Sequence, residues 1–235
     1  MLVTLHQMST NYHIVVAAGT GSRFGGRLPK QFCEVAGRPM LMHTLENLFK
    51  AYPDAVRIVV LHPDWVNYWR DLCLNYGFHL AHRIVDGGAT RAESVRNALR
   101  LVDPAEVGWI SVHDAARPAV TRELFEGILA GLDGADGAIP VIDVTDSLRR
   151  VSPDGGSVAV DRSLYRAVQT PQIFDGRKLL DANRGELRPE FTDDASVMEA
   201  AGYGNLRLVP GAVNNIKVTT SGDMSRMERI LASIS

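Results

Sequence analysis

Cysteine is scarce in this chain. Cys33 and Cys73 are the only two in 235 residues, too few for a disulfide framework or a zinc site, which suits a reducing cytoplasm. Excess positive charge is also missing. The formal net charge is -2, so there is no broad field to hold nucleic acid or an anionic membrane. Any phosphate chemistry must rest on local clusters of Arg and Lys. No run approaches the ~20 apolar residues that span a bilayer. The opening MLVTLHQMSTNY lacks the basic start and long apolar core of a signal peptide, and residues 1–12 read as a leader, disordered or not. Repeats, low-complexity segments and charge runs are absent. The seven histidines are scattered; His79 and His82 form the one close pair, with no third metal ligand nearby.

What is present is ordinary for a globular enzyme-sized domain: 46% hydrophobic and 22% charged residues, enough to bury a full core. Short β-branched runs at 13–18, 57–61, 82–87, 108–114 and 136–142 alternate with helical stretches. That alternation predicts a parallel sheet with crossover helices. One helix is expected over 39–51, with Leu41, Leu45, Leu48 and Phe49 on a single face, and another over 91–102, with Val95, Ala98, Leu99 and Val102. The pattern breaks at 143–170, where two charged strips flank Pro153-Asp154-Gly155-Gly156. These strips would bury poorly against their own core, so a protruding hairpin that packs on a partner chain is expected. Helices near 175–186 and through Thr192–Gly202, strands at 206–209 and 215–219, and a closing helix from about 221 complete one domain over 13–235.

The first strand runs into Ala17-Ala18-Gly19-Thr20-Gly21-Ser22-Arg23-Phe24-Gly25, with Lys30 shortly after. Gly19 and Gly21 permit a tight turn whose amides can meet phosphate oxygens, and Arg23 and Lys30 add positive charge. A dinucleotide-binding turn fits less well: the third glycine is one place late, and the second strand ends in Leu61-His62-Pro63 with no acidic residue for a ribose. The Walker A pattern also fails, because Lys30 is followed by Gln31.

A-A-G-x-G-x-R followed by Pro29-Lys30 resembles the nucleotidyltransferases that join nucleoside triphosphates to sugar phosphates. Further segments follow in order: Asp86-Gly87-Gly88 with Arg91 and Ser94, His113-Asp114-Ala115-Ala116-Arg117-Pro118, and Val160-Asp161-Arg162 running to Gln169-Thr170-Pro171-Gln172. Thr192-Asp193-Asp194 and Asn215-Ile216-Lys217-Val218-Thr219 complete the set. Together they resemble the 2-C-methyl-D-erythritol 4-phosphate cytidylyltransferase family of non-mevalonate isoprenoid synthesis.

The resemblance implies a Rossmann-like α/β fold, a mostly parallel sheet with flanking helices and a protruding β-arm used for homodimerisation. It implies CTP as substrate and Mg2+ as cofactor. Ala17, Ala18, Gly19, Gly21, Arg23 and Lys30 then match triphosphate-binding positions, and Gly88, Ser94 and Ala115 match positions around the nucleoside. Asp114 and Arg117 match positions near the acceptor phosphate and metal, Asp114 being the one metal-ligand candidate beside the phosphates themselves. Lys217 matches one at the reacting phosphate, so Arg23, Lys30 and Lys217 form the catalytic set. Ser147, Arg162 and Thr170 match arm positions that reach the acceptor bound to the other subunit. Ala89 stands where the family often has an acidic residue, and Ser147 where a threonine is usual.

Each motif has a plainer reading. His113-Asp114 can merely cap the next helix, Thr192-Asp193-Asp194 reads first as an N-cap, and His113 as a hydrogen-bonded, half-buried residue. Arg149, Arg150 and Arg166 read as solvated arm charges. Two other functions stay open: a ribitol-5-phosphate cytidylyltransferase, and a non-catalytic nucleotide-binding regulatory dimer.

Overall fold

In a computed structural model, residues 9–19 and 28–234 are described. The chain opens with β1 (Thr10–Ala17), then a short hairpin of β2 (Glu34–Val35) and β3 (Arg38–Pro39) that leads into α1 (Met40–Ala51). β4 (Val56–Leu61), α2 (Val66–Asn75), β5 (Arg83–Asp86), α3 (Arg91–Leu99) and β6 (Val107–Asp114) follow as alternating units. α4 (Arg122–Gly131) and β7 (Gly137–Asp143) precede the arm, made of β8 (Arg149–Val151) and β9 (Ser157–Ala159). β10 (Arg166–Val168), β11 (Gln172–Asp175), α5 (Gly176–Ala182), α6 (Asp194–Ala200), β12 (Leu206–Pro210) and α7 (Gly222–Ile234) close the chain.

β1 lies between β4 and β6, parallel to both, and β5 continues the parallel half beyond β4. Ile14 and Val15, on opposite faces of β1, are both fully buried, as a strand covered on two sides requires. β4 follows β1 on one side while β6 crosses to the other. The sheet order therefore reverses beside the carboxyl ends of β1 and β6, where ligands collect in open α/β sheets. The alternation did not reveal β11, which runs antiparallel between β6 and β7. Its Ile173 and Phe174 are buried, and β12 pairs in parallel with β7 at the sheet margin.

Two apolar layers cover the sheet. One centres on Leu41, Leu45 and Leu48 of α1 with Phe125 and Ile128 of α4, and the other on Val95 and Leu99 of α3 with Leu179 and Met198. Each fully buried leucine contributes about 1.5–3 kcal/mol relative to exposure. Phe49, expected on the same face of α1, is 40% exposed, with the Arg57 guanidinium 5.1 Å from its ring centroid. It lies about 80° around the helix from Leu41, at the edge of the buried stripe. Val102 is buried as expected, although α3 itself ends at Leu99.

The expected strand at 215–219 does not form. Val218 N–H donates once to Ala116 O, the Asn215 amide donates to Thr170 O, and Arg117 donates to Asn215 O. The segment is thus a loop fastened by side chains, with no ladder. At 143–170, β8 and β9 pair with each other alone, and all their residues are exposed. Gly155, at φ +85°, makes the turn. Leu164 is 80% exposed, and Val151, Val158, Tyr165 and Val168 are also open. The exposed segment stops at Val168; Gln169 and Thr170 are buried in the body. Residues 1–8 of the expected leader lie outside the described residues, and β1 begins three residues earlier than the run from His13.

Candidate active site

A cavity of about 490 Å³ opens at the sheet's switch point. Ala17, Ala18, Gly19, Lys30, Gly88, Ser94, Asp114, Ala115 and Lys217, far apart in sequence, all line it. Gly21 and Arg23 lie outside the described residues.

The start of the glycine loop is held from below. The buried Gln31 donates through Nε2 to Ala17 O at 2.6 Å and to Gly19 O at 3.1 Å. Lys30 Nζ donates to Val218 O at 2.9 Å, so Lys30 and the loop carrying Lys217 are tied together. Opposite, Thr90 caps α3 in a reciprocal capping box with Glu93. Ser94 accepts from Gly88 N–H at 3.0 Å and donates to Thr90 O at 2.9 Å, which fixes the Gly87-Gly88 turn. A Cβ on Gly88 would lie 2.4 Å from Glu93 Cβ, and one on Gly87 2.4 Å from Ala18 Cβ. Only glycine permits this close approach of two loops.

Asp114 forms the floor. Its Oδ2 lies 2.7 Å from Lys217 Nζ, and its Oδ1 lies 3.6 Å from Arg91 Nε. Burial alone would raise this carboxyl; Arg91, Lys217 and Arg117 outweigh it and hold the group far below the usual carboxylate range. Arg91 is pushed down by burial and pulled up more strongly by Asp194 and Asp114. Its Nη1 lies 2.8 Å from Asp194 Oδ2. In the motif pattern Arg91 carries no assigned role, and Asp194 reads as part of a cap. Asp193 is indeed that cap, accepting from Ser196 N–H. Thr90-x-x-Glu93, a legible N-terminus aimed at the site, could have flagged Arg91.

His113, expected half-buried, is fully buried. Its Nε2 faces Arg117 O at 2.9 Å and its Nδ1 faces Thr170 Oγ1 at 3.0 Å. A carbonyl can only accept, so Nε2 carries the proton and the Thr170 hydroxyl donates to Nδ1. Asp114 N–H in turn donates to Thr170 Oγ1 at 3.0 Å. Burial lowers the His113 pKa to about 4, keeping the ring neutral in this relay. Thr170 is only 6% exposed and makes these contacts within its own chain. It supports the end of β6 in its own chain because the strand entering β11 lies directly beside Asp114. Arg117 also sits behind the cavity, donating to Asn215 O at 2.7 Å.

Ser147 and Arg162 are not brought to the cavity. Both are exposed; Arg162 donates to Thr145 O and lines a separate surface groove with Asp143 and Arg166. Among the described residues, no three His, Cys, Asp or Glu side chains cluster as a metal site. A single carboxylate suits Mg2+, which is commonly bound by one or two carboxylates together with substrate phosphates.

An open α/β sheet with a cation-lined cavity at its switch point defines a protein that binds an anionic, nucleotide-sized ligand. A profile of 2-C-methyl-D-erythritol 4-phosphate cytidylyltransferase matches residues 12–233. The chain belongs to that family, whose members are nucleotidyltransferase enzymes. It is 43% identical over 219 residues to 2-C-methyl-D-erythritol 4-phosphate cytidylyltransferase from Phocaeicola vulgatus, covering 93% of this chain and 98% of the relative. The Porphyromonas gingivalis protein of the same name is 43% identical, with 94% and 98% covered. A solved 4-diphosphocytidyl-2C-methyl-D-erythritol synthase from Anaerococcus prevotii superimposes with a TM-score of 0.79 at 25% identity, covering 95% of this chain and 99% of that one. The cytidylyltransferase from Thermus thermophilus gives 0.71 at 29% identity, with 93% and 98% covered.

Proposed function

We propose that this chain transfers CMP from CTP to 2-C-methyl-D-erythritol 4-phosphate, forming 4-diphosphocytidyl-2-C-methyl-D-erythritol and pyrophosphate. The observation that carries the reading is the row Lys217–Asp114–Arg91 on the floor of a cavity edged by Ala17–Gly19 and Gly88.

The triphosphate lies along Ala17, Ala18, Gly19, Gly21, Arg23 and Lys30. Gly88, Ser94 and Ala115 bound the nucleoside end, Ser94 acting through its hold on Gly88. An oxygen of the acceptor phosphate bonds to the α-phosphorus in line, and the bond from that phosphorus to the bridging oxygen breaks. Pyrophosphate leaves with the electron pair. Charge gathers on the equatorial oxygens, and Lys30 and Lys217 neutralise it from fixed positions. No general base is required, because a phosphate nucleophile is already ionised near neutral pH. Mg2+, when bound, would neutralise and align the phosphates, with Asp114 as its protein ligand.

Arg117 bears on the acceptor side of the same chain. Ser147 and Arg162 serve the acceptor held by a partner copy, with the exposed Val151, Val158 and Leu164 covered in a homodimer. The Arg162 fork suits a phosphate. Among the described residues no helix is long and apolar enough to cross a membrane, and a cytoplasmic location accords with the two free thiols.

The test is pyrophosphate release by the purified protein with CTP and Mg2+. Release only with methylerythritol phosphate, stopped by chelation, is expected. Equal turnover of ribitol 5-phosphate would reassign the acceptor. CTP binding without turnover of either would leave a nucleotide-binding regulatory dimer.

A further inference from the structure

We infer that Asp194 is a positioning residue for this site: by holding the Arg91 guanidinium, it keeps one carboxylate oxygen of Asp114 open to the cavity. The inference rests on the proposed reaction. The Asp194 side chain is 2% exposed, and its Oδ2 lies 2.8 Å from Arg91 Nη1 in an ion pair. Arg91, which lines the cavity, approaches Asp114 Oδ1 only to 3.6 Å, beyond hydrogen-bonding range. An unrestrained guanidinium closes on a carboxylate with two parallel hydrogen bonds. Here the short contact goes to Asp194, and Asp114 receives charge attraction without the fork. Lys217 takes the other oxygen, Oδ2, at 2.7 Å. Of the two ion pairs to Asp114, the one from Lys217 is short and falls on Oδ2, and the one from Arg91 is long and falls on Oδ1.

Other residues perform the structural work at the start of α6. Asp193 accepts from Ser196 N–H at 3.0 Å and, through Oδ2, from Gln172 Nε2 at 2.8 Å. Gln172 Oε1 accepts in turn from Ala195 N–H at 3.3 Å. Gln172 lies on β11, beside the strand that carries Asp114, so α6 is bolted to the sheet independently of the Asp194 charge. A carboxylate buried this deeply is costly unless its partner compensates. Burial raises the Asp194 carboxyl against the pull of Arg91; the Arg91 guanidinium is the cation placed against it, at 2.8 Å.

The test uses Asp194→Asn, which keeps the shape and removes the charge. Binding of Mn2+ to the enzyme–CTP complex, read as loss of the free-ion paramagnetic resonance signal, is expected to weaken about tenfold. With methylerythritol phosphate, kcat should fall roughly 10- to 100-fold while KM for CTP moves less than about threefold. In an Arg91→Gln background the same change should add nothing, because no guanidinium remains to be restrained. A purely structural role would lower the melting temperature and leave Mn2+ binding by the folded protein unchanged. Mn2+ affinity and kcat within about twofold of wild type would overturn the inference. So would an equal loss in the Arg91→Gln background. Should Asp194→Asn not fold, Asp194→Ser carries the test: it also removes the carboxylate that holds Arg91, so Mn2+ binding should again weaken about tenfold, and unchanged binding refutes the role. If wild-type protein fails to turn over methylerythritol phosphate, the reaction assignment falls, while the Mn2+–CTP measurements still decide the positioning role.

Discussion

Acidification should destabilise this protein through two histidines that cannot accept a proton where they lie. His13 is fully buried on β1 between Trp109 and Phe125, its Nδ1 2.6 Å from Ser111 Oγ, and burial lowers its pKa to about 3. His113 is held at about 4 by the same cause. In the unfolded chain both titrate near 6.5. Below that pH the unfolded state binds protons that the native state refuses, so stability is intact above about pH 6.5 and falls as pH drops towards the folded values. At about pH 5 each histidine has lost roughly 2 kcal/mol, or about 4 kcal/mol together, against a total of ~5–15 kcal/mol for a domain. His43 and His82, also lowered by burial, act in the same direction. Asp194, raised by burial, opposes them as pH approaches the carboxylate range. Urea unfolding followed by tryptophan fluorescence between about pH 7.5 and 5 measures the effect. The midpoint should hold near neutrality and then fall steeply at constant m-value. His13→Gln keeps a polar partner for Ser111 and should remove about half of the two-histidine contribution. An unchanged midpoint down to pH 5, or histidine ring signals titrating near 6.5 for these two residues, would refute the reasoning.

Lys30→Ala and Lys217→Ala should each lower kcat/KM by two or more orders of magnitude, about 3 kcal/mol of transition-state stabilisation, with CTP binding less affected by Lys217→Ala; near-normal turnover would make either a surface charge. Gly88→Ala would bring a methyl 2.4 Å from Glu93 Cβ, so CTP binding measured by calorimetry should weaken about tenfold or more, with ~1–3 kcal/mol of lost stability. If Arg162 completes the partner's site, mixed and exchanged Lys30→Ala and Arg162→Ala dimers should recover about a quarter of wild-type activity. No recovery in dimers proven by ultracentrifugation to exchange would confine Arg162 to its own chain.

Much of this architecture was written locally. β1, β4 and β6 are apolar runs that can lie only inside a sheet, and Thr90-x-x-Glu93 dictates where α3 begins. Gly88, Lys30 and Lys217 were picked out by the resemblance of ordered motifs, and the fold brings all three to one cavity. Phe49 and the 215–219 segment were misread. Helical phase near a stripe's edge, and a β-like run without a pairing partner, are both settled by what packs beside them. The antiparallel β11 was invisible because strand direction is not encoded in a four-residue run. Tertiary structure alone decided that Thr170 supports Asp114 from its own chain, and that Arg91 is shared between Asp114 and Asp194. Those contacts join residues 23 to 103 positions apart in sequence, and only the folded sheet sets the distances between their charges.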